Sequence, residues 1–380
     1  MKIVVQVRLL PRHAEAAALM ATLNACNVAA DWASRVAFDR DARSRNDLQK
    51  LVYGEMRESG LGAQAAVRTV KKVVDAYASL RASVRAGNLV GIRRAKAEGK
   101  PIRFRENAAQ PFDDRMLSWQ YDARTVSIWT VAGRLKGVRF VGHPAQLAVL
   151  VSHRQGESDL VLRDGRWLLI ATCDVPEPKA LAPCDWIGVD RGIVNLATTS
   201  DGENFQGGRL RRYRRWHARK RAELKAKGTK SATRRLRRRA RREHRHATHI
   251  NHAIAKKVVA VAQRTGRGIA LEDLSGIRDR VRPRRDQRAV HSSWPFHQLG
   301  AFIGYKAKRV GVQVIIVDAR YTSQMCPGCG HTARNNRFAR DHFRCRQCGL
   351  AGPADHVAGI NVRNRARSAW VPVNVPRPAA

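Results

Sequence analysis

Residues 187–202 read IGVDRGIVNLATTSDG, and the fold turns on how they are parsed. An apolar run, a turn and a second β-rich run describe two strands, with Asp190 at the carboxyl end of the first. That carboxylate stands out, because the 380-residue chain holds 72 Lys+Arg against 31 Asp+Glu, a formal net charge of +41. A polyanion is the expected partner of such a chain, and nucleic acid the default one.

Farther along the chain, GIALE ends on Glu272 as WIGVD ends on Asp190. A third acid, Asp355, stands in the first turn of the last helix, ADHVAGINVRNRA, seven residues after Cys348. Strands alternate with helices from about 184 onward, which describes an α/β domain. Such sheets place their sites at the carboxyl edge, so Asp190 and Glu272 lie side by side if their strands are neighbours. Ala358 and Gly359 are small enough to bring the last helix close to the sheet.

Three carboxylates at one edge repel unless cations neutralise them, and hard oxygen ligands suit Mg²⁺ or Mn²⁺. Two such ions, about 4 Å apart, activate water and stabilise the leaving oxygen of a phosphodiester. Taken singly, each acid is explained by a salt bridge with one of the many arginines. The joint pattern of strand end, strand end and helix start favours the metal reading.

Cys326, Cys329, Cys345 and Cys348 form two C-x-x-C pairs, CPGC and CRQC, separated by 15 residues. This is the spacing of a tetrahedral Zn²⁺ site with four thiolate ligands and no open position, hence a structural metal. A redox dithiol pair and an iron-sulfur centre fit the paired spacing less well. Arg334, Arg337, Arg340, Arg344 and Arg346 give this module a surface that also suits nucleic acid. Cys26, Cys173 and Cys184 stand alone in apolar surroundings and read as buried small hydrophobes.

Between Asp190 and Glu272 lies a long basic helical region, about 209–263, in which only Glu223 and Glu243 offset the Lys and Arg residues before His252. A solvated helix face normally mixes both signs, so this density points to phosphate contacts. Arg211, Arg212, Arg214, Arg215, Arg234, Arg235, Arg237, Arg238, Arg241 and Arg242 are the candidate contacts. Tyr213 and Trp216 are interleaved with them, as suits RNA or a heteroduplex with exposed bases to stack. His244, His246, His249 and His252 allow a second zinc site, although without nearby cysteines an RNA-facing surface is the better reading. Residues 278–294, RDRVRPRRDQRAVHSSW, are a basic loop by composition.

Toward the N-terminus, KIVVQVRLL is strand-like, and residues 13 to about 100 repeat apolar positions at helical steps, a small helical bundle. From about 102 to 178 the period changes to that of strands: TVSIWTVAG, GVRFVG, QLAVLVSH and DLVLRDGRWLLIATCDV, the last with a hairpin turn at Asp164 and Gly165. A β-barrel or curled sheet follows, which the first strand completes across the helical insertion. PEPKALAP, residues 176–183, is a linker, and the tail WVPVNVPRPAA is Pro-rich and irregular by composition. No run of about 18 apolar residues exists, and the broken apolar start is unlike a signal peptide, so a soluble, cytoplasmic, nucleoid-associated protein without a membrane partner is expected.

The motifs IGVDRGIVNLATTSDG, IALEDLSGIR, RYTSQMCPGCG and DHVAGINV resemble those of the TnpB family, transposon-encoded RNA-guided nucleases related to compact type V CRISPR effectors. The N-terminal RLLPRHAEAAALMATLNACNVAADWAS and DLQKLVYGEMRE resemble that family more loosely, so the likeness covers nearly the whole chain. In the third motif the family's D-x-N-A-A-x-N pattern is changed: Val357 stands for Asn and Gly359 for Ala, whereas Asp355, Ala358 and Asn361 match.

The resemblance implies a multidomain α+β and α/β fold. Its parts are a split β-barrel wedge domain over 1–12 and 102–178 and a helical recognition domain over 13–101. An RNase H-like RuvC nuclease domain follows over 184–320 and 353–367, with an inserted zinc ribbon at 321–352 and an irregular tail at 368–380. It implies that Asp190, Glu272 and Asp355 are the catalytic triad of a Mg²⁺-dependent DNA endonuclease guided by a non-coding RNA onto double-stranded DNA, with the barrel and bundle holding the guide and the protein acting as a monomer. By the same resemblance, residues 278–294 border the cleft and gate substrate; a disordered basic loop is the other reading. A nuclease-inactive RNA-guided regulator and a guide-independent, structure-selective nuclease remain the alternatives.

Overall fold

The computed structural model describes residues 1–277 and 296–374 and divides into two compact units, Met1–Pro176 and Glu177–Ala380. The first unit starts with β1 (Lys2–Leu9), whose Val5, Val7 and Leu9 alternate inward. Four helices follow: α1 (His13–Asp39), α2 (Arg45–Glu58), α3 (Ala63–Arg85) and α4 (Gly91–Glu98). The chain then returns through β2 (Gln110–Phe112), β3 (Leu117–Gln120), β4 (Thr125–Thr130), β5 (Gly133–Val141), α5 (Pro144–His153), β6 (Arg154–Arg163) and β7 (Arg166–Asp174).

The seven strands form one sheet in the order β2-β6-β7-β1-β5-β4-β3, with β1 inside it and antiparallel to β7 and β5. The first strand therefore pairs across the helical insertion. Strands β2 and β3 form the two edges, so the hydrogen-bonded ladder is open at that point. Between β6 and β7, Asp164 and Gly165 both take positive φ (50° and 73°), as a two-residue hairpin turn of primed type requires.

One segment differs from its sequence reading: QLAVLVSH lies in helix α5 and not in a strand. Pro144 occupies the first turn, and the His143 ring accepts a hydrogen bond from the Ala145 N–H at 3.3 Å, so capping overrides the β-prone composition.

The second unit is built on β8 (Trp186–Asp190), β9 (Asn195–Thr199), β10 (Asn204–Gln206), β11 (Gly268–Glu272) and β12 (Val314–Val317), in the order β10-β9-β8-β11-β12. Strands β8, β11 and β12 are parallel, and β9 and β10 antiparallel to their neighbours. Helices α6 (Gly208–Ala226) and α7 (Lys230–Arg264) join β10 to β11, and α8 (Phe296–Lys308) precedes β12. A short hairpin of β13 (His342–Arg344) and β14 (Ala351–Pro353) runs straight into α9 (Ala354–Asn374).

Both faces of the sheet are covered. On one, Ile187, Val189, Ile269 and Leu271 pack with Ile254, Val258, Leu299 and Ile303 of α7 and α8. On the other, Trp186, Ala270 and Val317 pack with Val362 and Ala366 of α9. The period-2 alternation of the strands thus feeds two cores. Helix α9 runs to Asn374, past the expected end at 367; Trp370 meets Trp186 edge-on at 5.3 Å and holds the later turns to the sheet. The basic loop 278–294 and residues 375–380 lie outside the described residues.

Candidate active site

Parallel pairing of β8 and β11 sets Val189 opposite Leu271, so Asp190 and Glu272 emerge together at the carboxyl edge. The two carboxyl groups share a hydrogen bond, and burial together with the neighbouring acids Glu272 and Asp355 pushes the Asp190 carboxyl well above the usual range. Burial also raises Glu272, against a hydrogen bond that Thr322 Oγ1 donates to its Oε1 at 2.5 Å. Arg191, the buried residue after Asp190, donates to the Glu272 carbonyl.

Asp355 opens α9. Its carboxylate accepts from Asn195 Nδ2 at 2.9 Å and from Arg337 Nη2 at 3.0 Å. It acts on Asp190 electrostatically, yet among the described residues the three acids do not close to single-ion spacing. Asp355 is instead ion-paired with Arg337.

Of the two small residues expected to bring α9 close, Gly359 does so, and Gly188 on β8 meets it. A Cβ on Gly188 would lie 2.1 Å from the Gly359 carbonyl oxygen and 2.5 Å from Arg363 N. One on Gly359 would lie 3.1 Å from Ser200 N, so glycine at this departure from the family pattern fits the contact with β9. Val357 is buried with Cys326, Phe343, Cys345 and Ala354 and faces the cysteine module, away from the carboxylates' hydrogen bonds.

The four cysteines converge: their Sγ atoms all lie within 4.8 Å of one another. The N–H groups of Gln347 and Cys348 both point at Cys345 Sγ at 3.4 Å, and they pull its pKa down to about 6. Four convergent cysteine thiols, one of them approached by two backbone amides, fit a tetrahedral Zn²⁺. Among the described residues no histidine joins such a group. His252 stacks on Phe302 at 3.8 Å and His246 packs on Tyr213 at 4.3 Å, so these two serve helix packing. Cys184, expected to be buried, is exposed, with Sγ 3.5 Å from the Thr265 carbonyl, because the chain is only entering β8 there.

Helices α6 and α7 fold back on each other at Gly228, whose φ of 62° is open to glycine. Glu243 receives Arg214 and Arg221 in their interface. Of the arginines singled out by sequence, Arg212, Arg215, Arg234, Arg235, Arg237, Arg238, Arg241 and Arg242 are exposed, Arg211 is half-buried, and Arg214 turns inward. Trp216 is 41 % exposed, with the Arg239 guanidinium over its ring at 4.7 Å.

Sequence reasoning did not single out Asn195, Thr322, Arg191 or Asn361 as site residues, and it assigned Arg337 only to nucleic acid. All lie in or beside the motifs, but short polar side chains disclose their partners only through the fold.

Two family models match the chain, almost wholly within this unit: "Probable transposase" over residues 171–275 and "Cas12f1-like, TNB domain" over 296–362. The second unit thus resembles a transposase in its first part and a Cas12f1-like domain in its last. More narrowly, the chain is similar to a TnpB-like protein: it is 33% identical over 121 residues to the TnpB-like protein MJ0751 of Methanocaldococcus jannaschii, covering 32% of this chain and 43% of that one.

It is 27% identical over 217 residues to a CRISPR-associated endodeoxyribonuclease Cas12f1 of Syntrophomonas palmitatica, covering 52% and 43% of the two chains. The chain spans about half the length of the curated relatives it matches. Its fold is similar to that of CasPhi-2 (Cas12j), with a TM-score of 0.51 at 11% identity over 99% of both chains.

Proposed function

We propose that the chain is an RNA-guided DNA endonuclease carried by a mobile element, cutting DNA by metal-dependent phosphodiester hydrolysis at an RNase H-like, RuvC-type site. The observation that carries this reading is the pair of acids on adjacent parallel strand ends, with a third on the helix packed against them. The names TnpB-like and endodeoxyribonuclease borne by two relatives agree with it.

In this reading Asp190, Glu272 and Asp355 would hold Mg²⁺ or Mn²⁺. When bound, the ions supply an activated water and neutralise charge on the leaving oxygen. The protein's own part is positioning: Thr322 fixes Glu272, Asn195 orients Asp355, and Arg337 neutralises Asp355 when no other cation does. The cysteine module would be a zinc ribbon at 321–352 within the nuclease domain, and the first unit, residues 1–176, would supply the wedge sheet and recognition helices. The guide RNA and its duplex with target DNA would lie along the α6–α7 arginines, with sequence choice delegated to base pairing. A cytoplasmic, nucleoid-associated monomer is the corresponding setting.

The test compares wild type with Asp190→Ala, each loaded with guide RNA, on matched and mismatched DNA. Matched cutting lost in the variant with DNA binding retained supports the reading. Binding without cutting in both proteins supports an inactive regulator, and cutting that survives removal of RNA supports a structure-selective nuclease.

A further inference from the structure

The segment that carries the cysteines also grips two of the three acids. Thr322, four residues before Cys326, is buried and donates to Glu272 Oε1 at 2.5 Å. Its backbone carbonyl and that of Met325 both accept from Asn361 Nδ2 at 2.7 Å, which pins the entry to the module onto α9. On the module's other side, buried Asn336 donates to the Gln324 and His331 carbonyls and accepts from the Arg346 N–H. This fixes the backbone of its neighbour Arg337, whose guanidinium holds Asp355 at 3.0 Å. Finally, Cys326, Phe343 and Cys345 pack on Ala354 and Val357, the residues that bracket Asp355.

We propose that the cysteine module is a positioning device for the acid site: metal held by Cys326, Cys329, Cys345 and Cys348 sets, through Thr322 and the start of α9, the affinity of Asp190, Glu272 and Asp355 for divalent ions. The proposal rests on the metal-ion reading of the acids given above. The chemistry is that of outer partners of metal ligands. A carboxylate whose hydrogen-bonding neighbour is ordered needs no reorganisation on binding a cation, and removal of such a neighbour lowers affinity by roughly 10–100-fold. Here the neighbour's order depends on a second metal, because Thr322 lies at the mouth of a loop that four thiolates close. Val357, the departure from the family motif, becomes the apolar face by which the module seats on the helix carrying Asp355.

The test titrates Mn²⁺ into the full-length protein by calorimetry, with zinc content measured in parallel. Thr322→Val keeps shape and removes the hydroxyl; we expect zinc retained and Mn²⁺ affinity lowered about 10-fold. Thr322→Ser restores the donor and the affinity. Cys348→Ser, at an exposed ligand, is expected to lose zinc and weaken Mn²⁺ binding at least as much. Combining it with Thr322→Val then adds little, because both act through one path.

Unchanged Mn²⁺ affinity in Thr322→Val and in zinc-free Cys348→Ser overturns the proposal, as does failure of Thr322→Ser to restore binding. If Cys348→Ser does not fold, the two Thr322 variants alone decide it. Asp190→Ala separates the two readings: wild-type Mn²⁺ binding that does not depend on Asp190 removes the acid-site reading itself, whereas Asp190-dependent binding indifferent to Thr322 and Cys348 removes only the coupling.

Discussion

At the scale of single residues, Asp190 is held at a cost. Its carboxyl is buried beside Glu272 and feels Asp355, and its pKa rises accordingly. Asp190→Asn removes a buried acid whose ionisation its neighbours oppose, so it should raise the stability of the metal-free protein by about 1 kcal/mol while abolishing the proposed cleavage. Urea denaturation with and without Mg²⁺ checks this; stabilisation by Mg²⁺ should be present in wild type and absent in the variant.

Lys72 gives a second residue-level expectation. Burial pulls its pKa down to about 8, its ammonium having Asn27 Oδ1 at 2.5 Å and the Phe104 ring as neighbours. The unfolded chain then binds more protons above pH 8, so this group makes the protein more stable as pH rises from about 8 toward the ordinary lysine value. Buried Cys26, raised to about 11, acts in the opposite sense above its ordinary value of 9.0, which leaves pH 8–9 as the clean window. Thermal melts of wild type and Lys72→Met across that window should show the gain in wild type only.

At this scale the sequence discloses the acids and cysteines, because strand ends and C-x-x-C spacing are local signals. It does not disclose that Thr322 faces Glu272 across 50 residues.

Among the elements, the contact between β8 and α9 is the one the site most depends on. Gly188 and Gly359 meet backbone to backbone, so Gly188→Ala should cost about 3 kcal/mol and Gly359→Ala, with less overlap, about 1 kcal/mol. Equilibrium denaturation ranks the two; equal effects would show that the helix is free to shift.

Most elements are legible from periodicity: the buried strands β8 and β11 are short apolar runs, and α1 and α3 carry helical spacing. Helix α5 is not, because QLAVLVSH has strand-like composition and its true state is set by Pro144 and the His143 cap. The end of α9 is hidden for a related reason: Pro-rich composition suggests irregularity, while the Trp370 contact with Trp186 is a tertiary fact. The break between α6 and α7 at Gly228 likewise divides what reads as one basic helical region.

For the whole molecule, the net charge of +41 is the dominant property. Exposed arginines along α6 and α7 place much of it where phosphates can replace counterions. RNA affinity should therefore fall about 10³-fold or more between 50 and 200 mM salt. Neutralising Arg234, Arg235, Arg237 and Arg238 together should flatten that slope in a filter-binding titration. Charge and composition point to the proposed nucleic-acid partner directly, but which arginines are free to meet it depends on the helical hairpin, whose Arg214 is turned inward to Glu243.

The most direct measurement is to express the chain together with its native flanking DNA, purify it at high salt and sequence the RNA that remains bound. One abundant RNA ending in a variable segment that matches flanking DNA is the expected result, and it supplies the guide for the cleavage comparison. Recovery of no discrete RNA would contradict guided cutting and leave a structure-directed nuclease or a DNA-binding protein in its place.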